Sequence, residues 1–198
     1  MRITGGTVKG HTLLGPKSGS KGIRPTSDRV REALFTILAA DLQDSTVLDL
    51  YAGTGSLGIE ALSRGAEAAV FVDQSRQALT LIHSNLSSCF ADPRALLIQL
   101  NLSRADSGRR LQSKLPADLL FDLVFLDPPY EKKLAEKSLL MVESRIAVRQ
   151  GGLVIVEERK GVQFPEQWAG LKLIDQRNYG ETGLWIYQQQ KEQQRLPE

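Results

Sequence analysis

The regular alternation of strand-like and helix-like segments between residues 46 and 157 restricts the fold of this chain more than any other feature. Five short, mostly apolar segments are predicted to be strands: Thr46–Leu50, Ala69–Asp73, Ala95–Leu100, Phe121–Leu126 and Leu153–Glu157. Four helices are predicted between them: Leu57–Arg64, Ser75–Ser88, Ser103–Leu115 and Lys133–Val148. Apolar strands of this kind are typical of a sheet that is covered on both faces. Parallel neighbours need crossover connections, which the intervening helices supply.

Two further strands are predicted near the C-terminus, over Leu171–Asn178 and Gly183–Gln188, joined by a loop short enough for a hairpin. The fold class is therefore α/β. We expect a Rossmann-like, seven-stranded, mostly parallel sheet with a C-terminal antiparallel hairpin and helices on both faces, plus a short basic N-terminal hairpin and helix extension. The predicted organisation is an extension over residues 1–25, with a hairpin and a mobile loop, an α/β domain over 26–188, and a disordered tail over 189–198.

The N-terminal region carries an uneven share of the positive charge. Residues 1–35 contain seven Lys or Arg and two acidic residues, a local charge of +5 in a chain with a net charge of +2. A basic segment on a near-neutral body is typical of a protein that binds a polyanion at one end. A solvated basic flap is the alternative. The helical period in this region predicts one buried face formed by Val30, Leu34, Ile37 and Leu38.

The scarcity of cysteine and histidine excludes several kinds of site. The chain has one cysteine, Cys89, and two histidines, His11 and His83. No internal disulfide can form, and neither a closed zinc site nor a histidine-dependent nucleophilic triad has enough candidates. No stretch approaches the ~20 apolar residues of a membrane-spanning helix, and the start has no apolar signal core. We therefore expect a cytoplasmic protein with no metal and no membrane segment.

A glycine-rich loop joins the first predicted strand to its helix. Gly53, Gly55 and Gly58 have the spacing of a dinucleotide-binding loop, whose glycines allow a tight turn and a close approach of backbone to ligand. Asp73 ends the next strand, where a carboxylate can bind both ribose hydroxyls. The loop fits both NAD and S-adenosylmethionine. Asp49 favours S-adenosylmethionine, because an acid before the glycines suits an ammonium group better than a pyrophosphate.

The strongest chemical signal is Asp127-Pro128-Pro129-Tyr130, which follows the fourth predicted strand. Two prolines fix two φ angles and remove two backbone donors, so the loop is stiff and its carbonyls can accept hydrogen bonds. Together with the Asp127 carboxylate they suit an amino group, and the Tyr130 ring offers a face on which a base can stack. Two acceptors on an exocyclic amine favour a pyramidal nitrogen with an exposed lone pair. Alignment with a methyl sulfonium can then supply ~7–11 kcal/mol without a histidine.

Three further motifs complete the pattern. They are Arg2-Ile3-Thr4-Gly5-Gly6 with Gly10, Arg24-Pro25-Thr26-Ser27-Asp28-Arg29-Val30-Arg31-Glu32-Ala33-Leu34-Phe35, and Tyr51-Ala52-Gly53-Thr54-Gly55-Ser56-Leu57-Gly58 followed by Glu60-Ala61-Leu62-Ser63-Arg64-Gly65. With these motifs the chain resembles the bacterial 16S ribosomal RNA guanine-N2 methyltransferases, the RsmD family of class I S-adenosylmethionine-dependent methyltransferases. The resemblance runs from residue 2 to about residue 188.

The resemblance implies roles for three groups of residues. Cofactor contacts are expected at Asp49, Tyr51, Gly53, Gly55 and Asp73, and also at Asn101, which lies where many class I enzymes place an acid for the adenine amino group; Asp106 is the alternative there. Catalytic contacts to the target base are expected at Asp127, Pro128, Pro129 and Tyr130. Contacts to RNA phosphates are expected at Arg2, Lys9, Arg24, Arg29 and Arg31. Glu157–Lys160 is interpreted as a solvated strand end.

The function implied by the resemblance is methyl transfer from S-adenosylmethionine to the exocyclic N2 amine of a guanine in small-subunit ribosomal RNA. The chain lacks a separate target-recognition domain of ~100 residues, which favours a structured RNA, expected within an assembled or assembling small ribosomal subunit. Three alternatives stay open: an amino-methylating enzyme that acts on DNA adenine N6 or protein glutamine, a nicotinamide oxidoreductase, and a non-catalytic RNA-binding relative.

Overall fold

A computed structural model describes residues 1–15, 28–130 and 134–190 of the chain. The chain divides into two compact units, Met1–Leu100 and Asn101–Glu198. The predicted organisation, with an extension over residues 1–25, a domain over 26–188 and a tail over 189–198, stays a prediction, and the first unit holds both the N-terminal residues and the glycine-rich loop. Arg24, the start of the last predicted helix at Lys133 and most of the predicted tail lie outside the described residues.

The first unit is an α/β unit with three parallel strands in the order β3-β2-β1. Its helices are α1 (Asp28–Ile37), α2 (Ser56–Ser63) and α3 (Arg76–Cys89), with a short 3₁₀ helix at Ala39–Asp41, and its strands are β1 (Thr46–Leu50), β2 (Ala68–Asp73) and β3 (Ala95–Gln99). Each predicted strand and helix of this region is confirmed to within about two residues. All of β1 except its first residue is buried, as the apolar pattern indicates.

Helix α2 packs very closely against the strand beside it. Almost all of its residues are buried. A Cβ atom at Gly58 would lie 2.3 Å from the Phe71 ring of β2, which is closer than any side chain allows. The third glycine of the loop motif is therefore needed for helix–sheet contact rather than for ligand contact.

Helix α1 buries a different face from the one predicted. Val30, Leu34 and Leu38 are buried as expected, but Ile37 is 37% exposed and Phe35 is fully buried in its place. The prediction for Ile37 is wrong because α1 ends at that residue and its buried face is formed by Val30, Arg31, Leu34 and Phe35. The apolar period alone did not distinguish these two neighbouring faces.

The N-terminal residues form a narrow hairpin, in agreement with the prediction. Arg2 and Thr12 form an antiparallel bridge, the Ile3 amide donates to the His11 carbonyl at 3.0 Å, and the Gly10 amide donates to the Ile3 carbonyl at 2.8 Å. Ile3 and Leu13, one on each arm, are buried. The hairpin is thus an integral part of the first unit.

Polar side chains of α2 and α3 hold the hairpin through its backbone. The Ser63 hydroxyl donates to the Gly5 carbonyl at 2.7 Å and accepts from the Val8 amide at 3.1 Å. The Asn85 side chain accepts from the Leu14 amide at 2.8 Å, and its amide group donates to the Leu14 carbonyl at 3.2 Å. Because the Ser63 and Asn85 side chains are buried, their polar atoms do not reach water. The backbone groups of the hairpin provide their hydrogen bonds instead.

The second unit carries strands in the order β4-β5-β8-β7-β6, in which β4 and β5 are parallel and the other pairs are antiparallel. Its elements are α4 (Ser107–Gln112), β4 (Phe121–Leu126), α5 (Leu134–Arg145), β5 (Val148–Arg159), β6 (Gln167–Trp168), β7 (Leu171–Tyr179) and β8 (Thr182–Gln189). The predicted C-terminal hairpin is present as β7 and β8. Eight strands occur in the described parts of the chain, where seven were expected, and the additional one is the two-residue β6.

Three elements of the second unit differ in their bounds from the prediction, and one of them is α5, which ends at Arg145 because Val148 already belongs to β5. Helix α4 begins at Ser107 rather than Ser103, because the Asn101 side chain accepts hydrogen bonds from Ser103 and holds this segment in a turn. Strand β5 has 12 residues, since it begins before Gly151 and continues past Glu157. Within the described ranges, no helix is both long and apolar enough to cross a membrane.

Candidate active site

The glycine-rich loop between β1 and α2 has a tightly constrained backbone. Tyr51, Gly53 and Gly55 all have positive φ, at 62°, 55° and 77°. A positive φ is uncommon for a tyrosine and is concentrated at ligand-binding and catalytic positions. The Gly55 amide donates to the Ala52 carbonyl at 2.7 Å, which closes the turn just before α2 begins. The predicted cofactor residues Tyr51, Gly53 and Gly55 therefore lie together in one strained turn.

Asp73 ties this loop to the end of β2. Its Oδ2 atom accepts from the Gly53 amide at 2.9 Å, and its Oδ1 atom accepts from the Ser75 amide at 2.8 Å. Each carboxylate oxygen can accept a second hydrogen bond. Asp73 can therefore position the loop and still accept from the two hydroxyls of a ribose.

Asp49 is a buried carboxyl group beneath the same loop. Its side chain is 1% exposed, and its Oδ2 atom accepts from the Gly58 amide at 2.9 Å. Burial raises the pKa of Asp49 to about 7; the Gly58 hydrogen bond opposes this rise, and the negative charge of Asp73 adds to it. Among the residues that the structure describes, no cation is paired with this carboxyl group, and the ammonium group of a bound amino acid moiety would provide one.

Asn101 is placed less favourably than the other predicted cofactor residues. Its Oδ1 atom accepts from the Ser103 amide at 2.9 Å and from the Ser103 hydroxyl at 2.6 Å, and the residue is exposed. Both lone-pair directions of this oxygen are thus used within the turn. The alternative acceptor, Asp106, forms ion pairs with Arg104 and Arg110, and the hydrogen bond from Arg104 is the main reason that the pKa of Asp106 is lowered.

The Asp127-Pro128-Pro129-Tyr130 segment follows β4 directly, as predicted. The Tyr130 hydroxyl donates to Glu157 Oε1 at 3.0 Å and lies 3.5 Å from the Thr182 hydroxyl. Desolvation raises the pKa of Tyr130, and the charges of Glu157 and Asp127 raise it further. Tyr130 is therefore a neutral hydrogen-bond donor that is held at its hydroxyl end, which leaves its ring to act as an aromatic surface.

Glu157 is a residue of this region that the sequence did not reveal. The segment Glu157–Lys160 was interpreted as a solvated strand end, but Glu157 is 6% exposed and Glu158 is also buried. The prediction is wrong for these two residues because β5 continues as an interior strand and pairs with β8 as far as Arg159. The apolar run Leu153–Val156 stops at Glu157, so the sequence pattern itself indicates the end of the buried part of the strand.

Arg31, one of the five predicted RNA contacts, is an internal residue. It is 0% exposed; its Nε atom donates to Glu60 Oε2 at 3.2 Å, and its Nη2 atom donates to Asp28 Oδ1 at 2.9 Å and to the Arg2 carbonyl. The prediction that Arg31 contacts RNA is wrong, because this cation neutralises a buried carboxylate. Arg2, Lys9 and Arg29 are exposed, as an RNA contact requires, and Arg24 lies outside the described residues.

Glu60 is the centre of this buried network. It lies on α2 and is fully buried, and it accepts from the Thr4 amide at 2.9 Å, the Thr4 hydroxyl at 2.7 Å and Arg64 Nε at 2.8 Å, in addition to Arg31. A buried carboxylate is tolerated only when it is paired and hydrogen-bonded in this way. The motifs around Thr4, Arg31 and Glu60 thus form one structural site that joins the hairpin, α1 and α2.

No group of three or more His, Cys, Asp or Glu side chains in the described parts of the chain is arranged to hold a metal ion.

The predicted site residues form two groups. Asp49, Tyr51, Gly53, Gly55 and Asp73 lie around the carboxyl ends of β1 and β2 in the first unit. Asp127, the two prolines and Tyr130 lie at the carboxyl end of β4 in the second unit, with Glu157 behind Tyr130.

Comparison with known proteins identifies the family. A family model described as "Conserved hypothetical protein 95" matches residues 1–188. The ribosomal RNA small subunit methyltransferase D of Haemophilus influenzae is 33% identical over 192 residues, which covers 95% of this chain and 93% of that protein. The chain belongs to this family, the RsmD family. The resemblance inferred from the sequence motifs is thereby confirmed.

Solved structures confirm the fold class as well. The structure of yhhF from Escherichia coli superposes with a TM-score of 0.78 at 31% identity, over 96% of this chain and 98% of that chain. An RNA methyltransferase from Salinibacter ruber, solved in complex with S-adenosyl-L-homocysteine, gives a TM-score of 0.62 at 16% identity, a likeness that shows the fold alone. The chain thus has the α/β Rossmann-like methyltransferase fold, with a mostly parallel sheet and C-terminal antiparallel strands.

Proposed function

We propose that this chain transfers a methyl group from S-adenosylmethionine to the exocyclic N2 amine of a guanine in small-subunit ribosomal RNA. Its family membership supports ribosomal RNA methylation with S-adenosylmethionine as the methyl donor. The acceptor loop supports the choice of an amino group. The observation that carries the proposal is that this chain has both a buried Asp49 carboxyl with a raised pKa and the Asp-Pro-Pro-Tyr loop.

The first group of residues binds the cofactor. The ionised Asp49 carboxylate attracts the ammonium group of the methionine moiety, and Asp73 accepts from the ribose hydroxyls. The turn at Tyr51, Gly53 and Gly55 allows the backbone to approach the cofactor closely. We assign no adenine contact to the Asn101 oxygen, since Ser103 already uses it.

The acceptor loop binds the amine of the target base. Asp127 and the adjacent carbonyl accept the two N–H groups of guanine N2, and Tyr130 stacks on the base while Glu157 fixes its hydroxyl. Bound S-adenosylmethionine would supply an electrophilic methyl group to this nitrogen and would leave as S-adenosylhomocysteine, which keeps the electrons of the broken carbon–sulfur bond. The methylated nitrogen then releases one proton to water. Positioning and hydrogen bonding provide the catalysis, so no nucleophilic side chain is required.

The direct test supplies labelled S-adenosylmethionine to unmodified small ribosomal subunits, naked small-subunit RNA, DNA and a glutamine-containing peptide. We propose that the small subunit, assembled or assembling, is the preferred substrate and that digestion yields labelled N2-methylguanosine. Label in N6-methyladenosine or in the peptide would replace this proposal with another amino-methylating activity. Isothermal titration with S-adenosylhomocysteine and with NAD distinguishes a methyltransferase from an oxidoreductase, because only one of these ligands should bind.

A further inference from the structure

A cavity of about 250 Å³ lies in the second unit, between α4 and α5, and none of the residues assigned to the cofactor or the base lines it. Among the described residues that line it, three are cations, Arg109, Lys137 and Arg145, and none is acidic. The nearest acid along α4, Asp106, is already paired with Arg104 and Arg110. The cavity is therefore a locally positive site in a chain whose net charge is only +2.

The packing of the two helices builds this cavity. A Cβ atom at Gly108 would lie 2.9 Å from Arg145 Cγ and 3.0 Å from Met141 Cγ, so the missing side chain lets the stems of these residues lie directly on α4. The Ser107 hydroxyl contacts Met141 Sδ at 3.6 Å, which closes the floor. The Arg145 guanidinium, at the end of a stem held in this way, remains exposed for an anion.

The position of the cavity relates it to the acceptor loop. Helix α5 is the next element after Tyr130, and Lys137 lies in its first turns, seven residues beyond Tyr130. The Lys137 ammonium donates to the Ser103 carbonyl, which holds this cation on the α4 side of the helix. Lys137 and Arg145 are about 12 Å apart along the axis at ~1.5 Å per residue, so an extended polyanion along α5 would meet both cations.

We propose that this cavity binds backbone phosphates of the RNA strand that flanks the target base. The inference rests on the proposed function and deepens it, because it adds a contact surface in the second unit to the N-terminal contacts. Phosphate contacts position an RNA substrate without reading its sequence, and arginine is well suited to them. Because Arg31 is buried, the N-terminal segment offers fewer cations to RNA than predicted. The cations of this cavity would add to those that remain.

The test measures RNA binding by fluorescence anisotropy across a range of salt concentrations, with a labelled fragment of small-subunit ribosomal RNA. The cavity variant combines Arg109→Gln, Lys137→Gln and Arg145→Met, in which Met keeps the methylene contacts with Gly108. The matched control removes three exposed cations near the starts of β3, β5 and β7, by Arg94→Gln, Arg149→Gln and Lys172→Gln. Both variants lose the same net charge.

We expect the salt slope of the cavity variant to fall by about 2, at ~0.7 for each single-strand phosphate contact, while the control keeps the slope of the unmodified protein. The single Arg109→Gln variant, which alters no internal contact described above, should lose about 0.7. Equal slopes in the cavity variant and the control would overturn the inference. Unchanged affinity for S-adenosylhomocysteine shows that the variants are folded. If the unmodified protein forms no N2-methylguanosine, the proposed function itself fails. Equal slopes in a protein that does form this product overturn only the cavity inference.

Discussion

The raised pKa of Asp49 makes cofactor affinity depend on pH in a way that can be calculated. The pKa is about 7 in the ligand-free protein, so half of the molecules carry a protonated Asp49 at neutral pH. An ammonium-bearing ligand binds the protein with ionised Asp49. Its apparent Kd therefore equals the Kd of that form multiplied by one plus the ratio of protonated to ionised Asp49. Between pH 8 and pH 6 the affinity for S-adenosylhomocysteine should therefore fall by about 10-fold.

Isothermal titration measures how cofactor binding is coupled to the ionisation of Asp49. At pH 7 each binding event should release about half a proton, which appears as a dependence of the observed heat on the ionisation enthalpy of the buffer. Asn at position 49 can still accept from the Gly58 amide but cannot titrate. Asp49→Asn should therefore bind more weakly at pH 8 and show a flat profile between pH 6 and pH 8. Adenosine, which lacks the ammonium group, is the ligand control and should show no such dependence with the unmodified protein.

The same pKa predicts the stability of the ligand-free protein. The folded-state pKa lies above the unfolded value, so the folded state binds more protons between pH 4 and pH 7, and stability falls as pH rises through this window. The free energy of unfolding should drop by on the order of 3 kcal/mol from pH 5 to pH 8, relative to Asp49→Asn. Urea unfolding at the two pH values checks this. Parallel stability profiles for the two proteins, together with a pH-independent Kd, would refute the argument.

Three further predictions concern other residues. Asp127→Ala should abolish methyl transfer while S-adenosylhomocysteine still binds, and Asp127→Asn should keep partial activity because an amide oxygen also accepts; full turnover in the Ala variant, measured with labelled cofactor, would contradict the acceptor role. Glu157→Ala should raise the KM for RNA and leave cofactor affinity unchanged, since it releases the Tyr130 hydroxyl, and Glu157→Gln should restore most of the loss. Arg31→Met should destabilise the fold by roughly 3–5 kcal/mol in urea unfolding, because Glu60 is left buried without this partner; a loss of RNA affinity in a protein of normal stability would instead restore Arg31 as an RNA contact.

Local patterns predicted much of the fold because the βα units are encoded within short segments. Strand β1 is a mostly apolar run with Asp49 one residue before its end, and the glycines that follow it have φ values that other residues adopt only under strain. The sequence therefore predicted a tight turn at Gly53 and Gly55 that directly follows the strand carrying Asp49. The hydrogen bond between the Gly53 amide and Asp73 was not predicted, and it follows from the parallel register of β1 and β2.

The charged residues were less predictable, because their roles depend on partners far away in the sequence. Arg31 and Glu60 are separated by 29 positions, and no periodicity shows that they pair. In isolation, a basic residue in a basic segment is indistinguishable from a phosphate ligand. Glu157 depends on Tyr130 in the same way, at a separation of 27 positions. An acid can be buried because a distant residue pairs with it, and a local sequence pattern does not show that partner.

The attachment of the N-terminal hairpin to α2 and α3 has a consequence for biosynthesis. Thr4 hydrogen-bonds to a residue 56 positions later, and Leu14 to one 71 positions later. During synthesis the hairpin therefore cannot reach its final place until Glu60 and Asn85 have also emerged from the ribosome. At ~5–20 residues per second, this leaves the hairpin undocked for several seconds. Completion of the first unit is thus timed by the synthesis of α3.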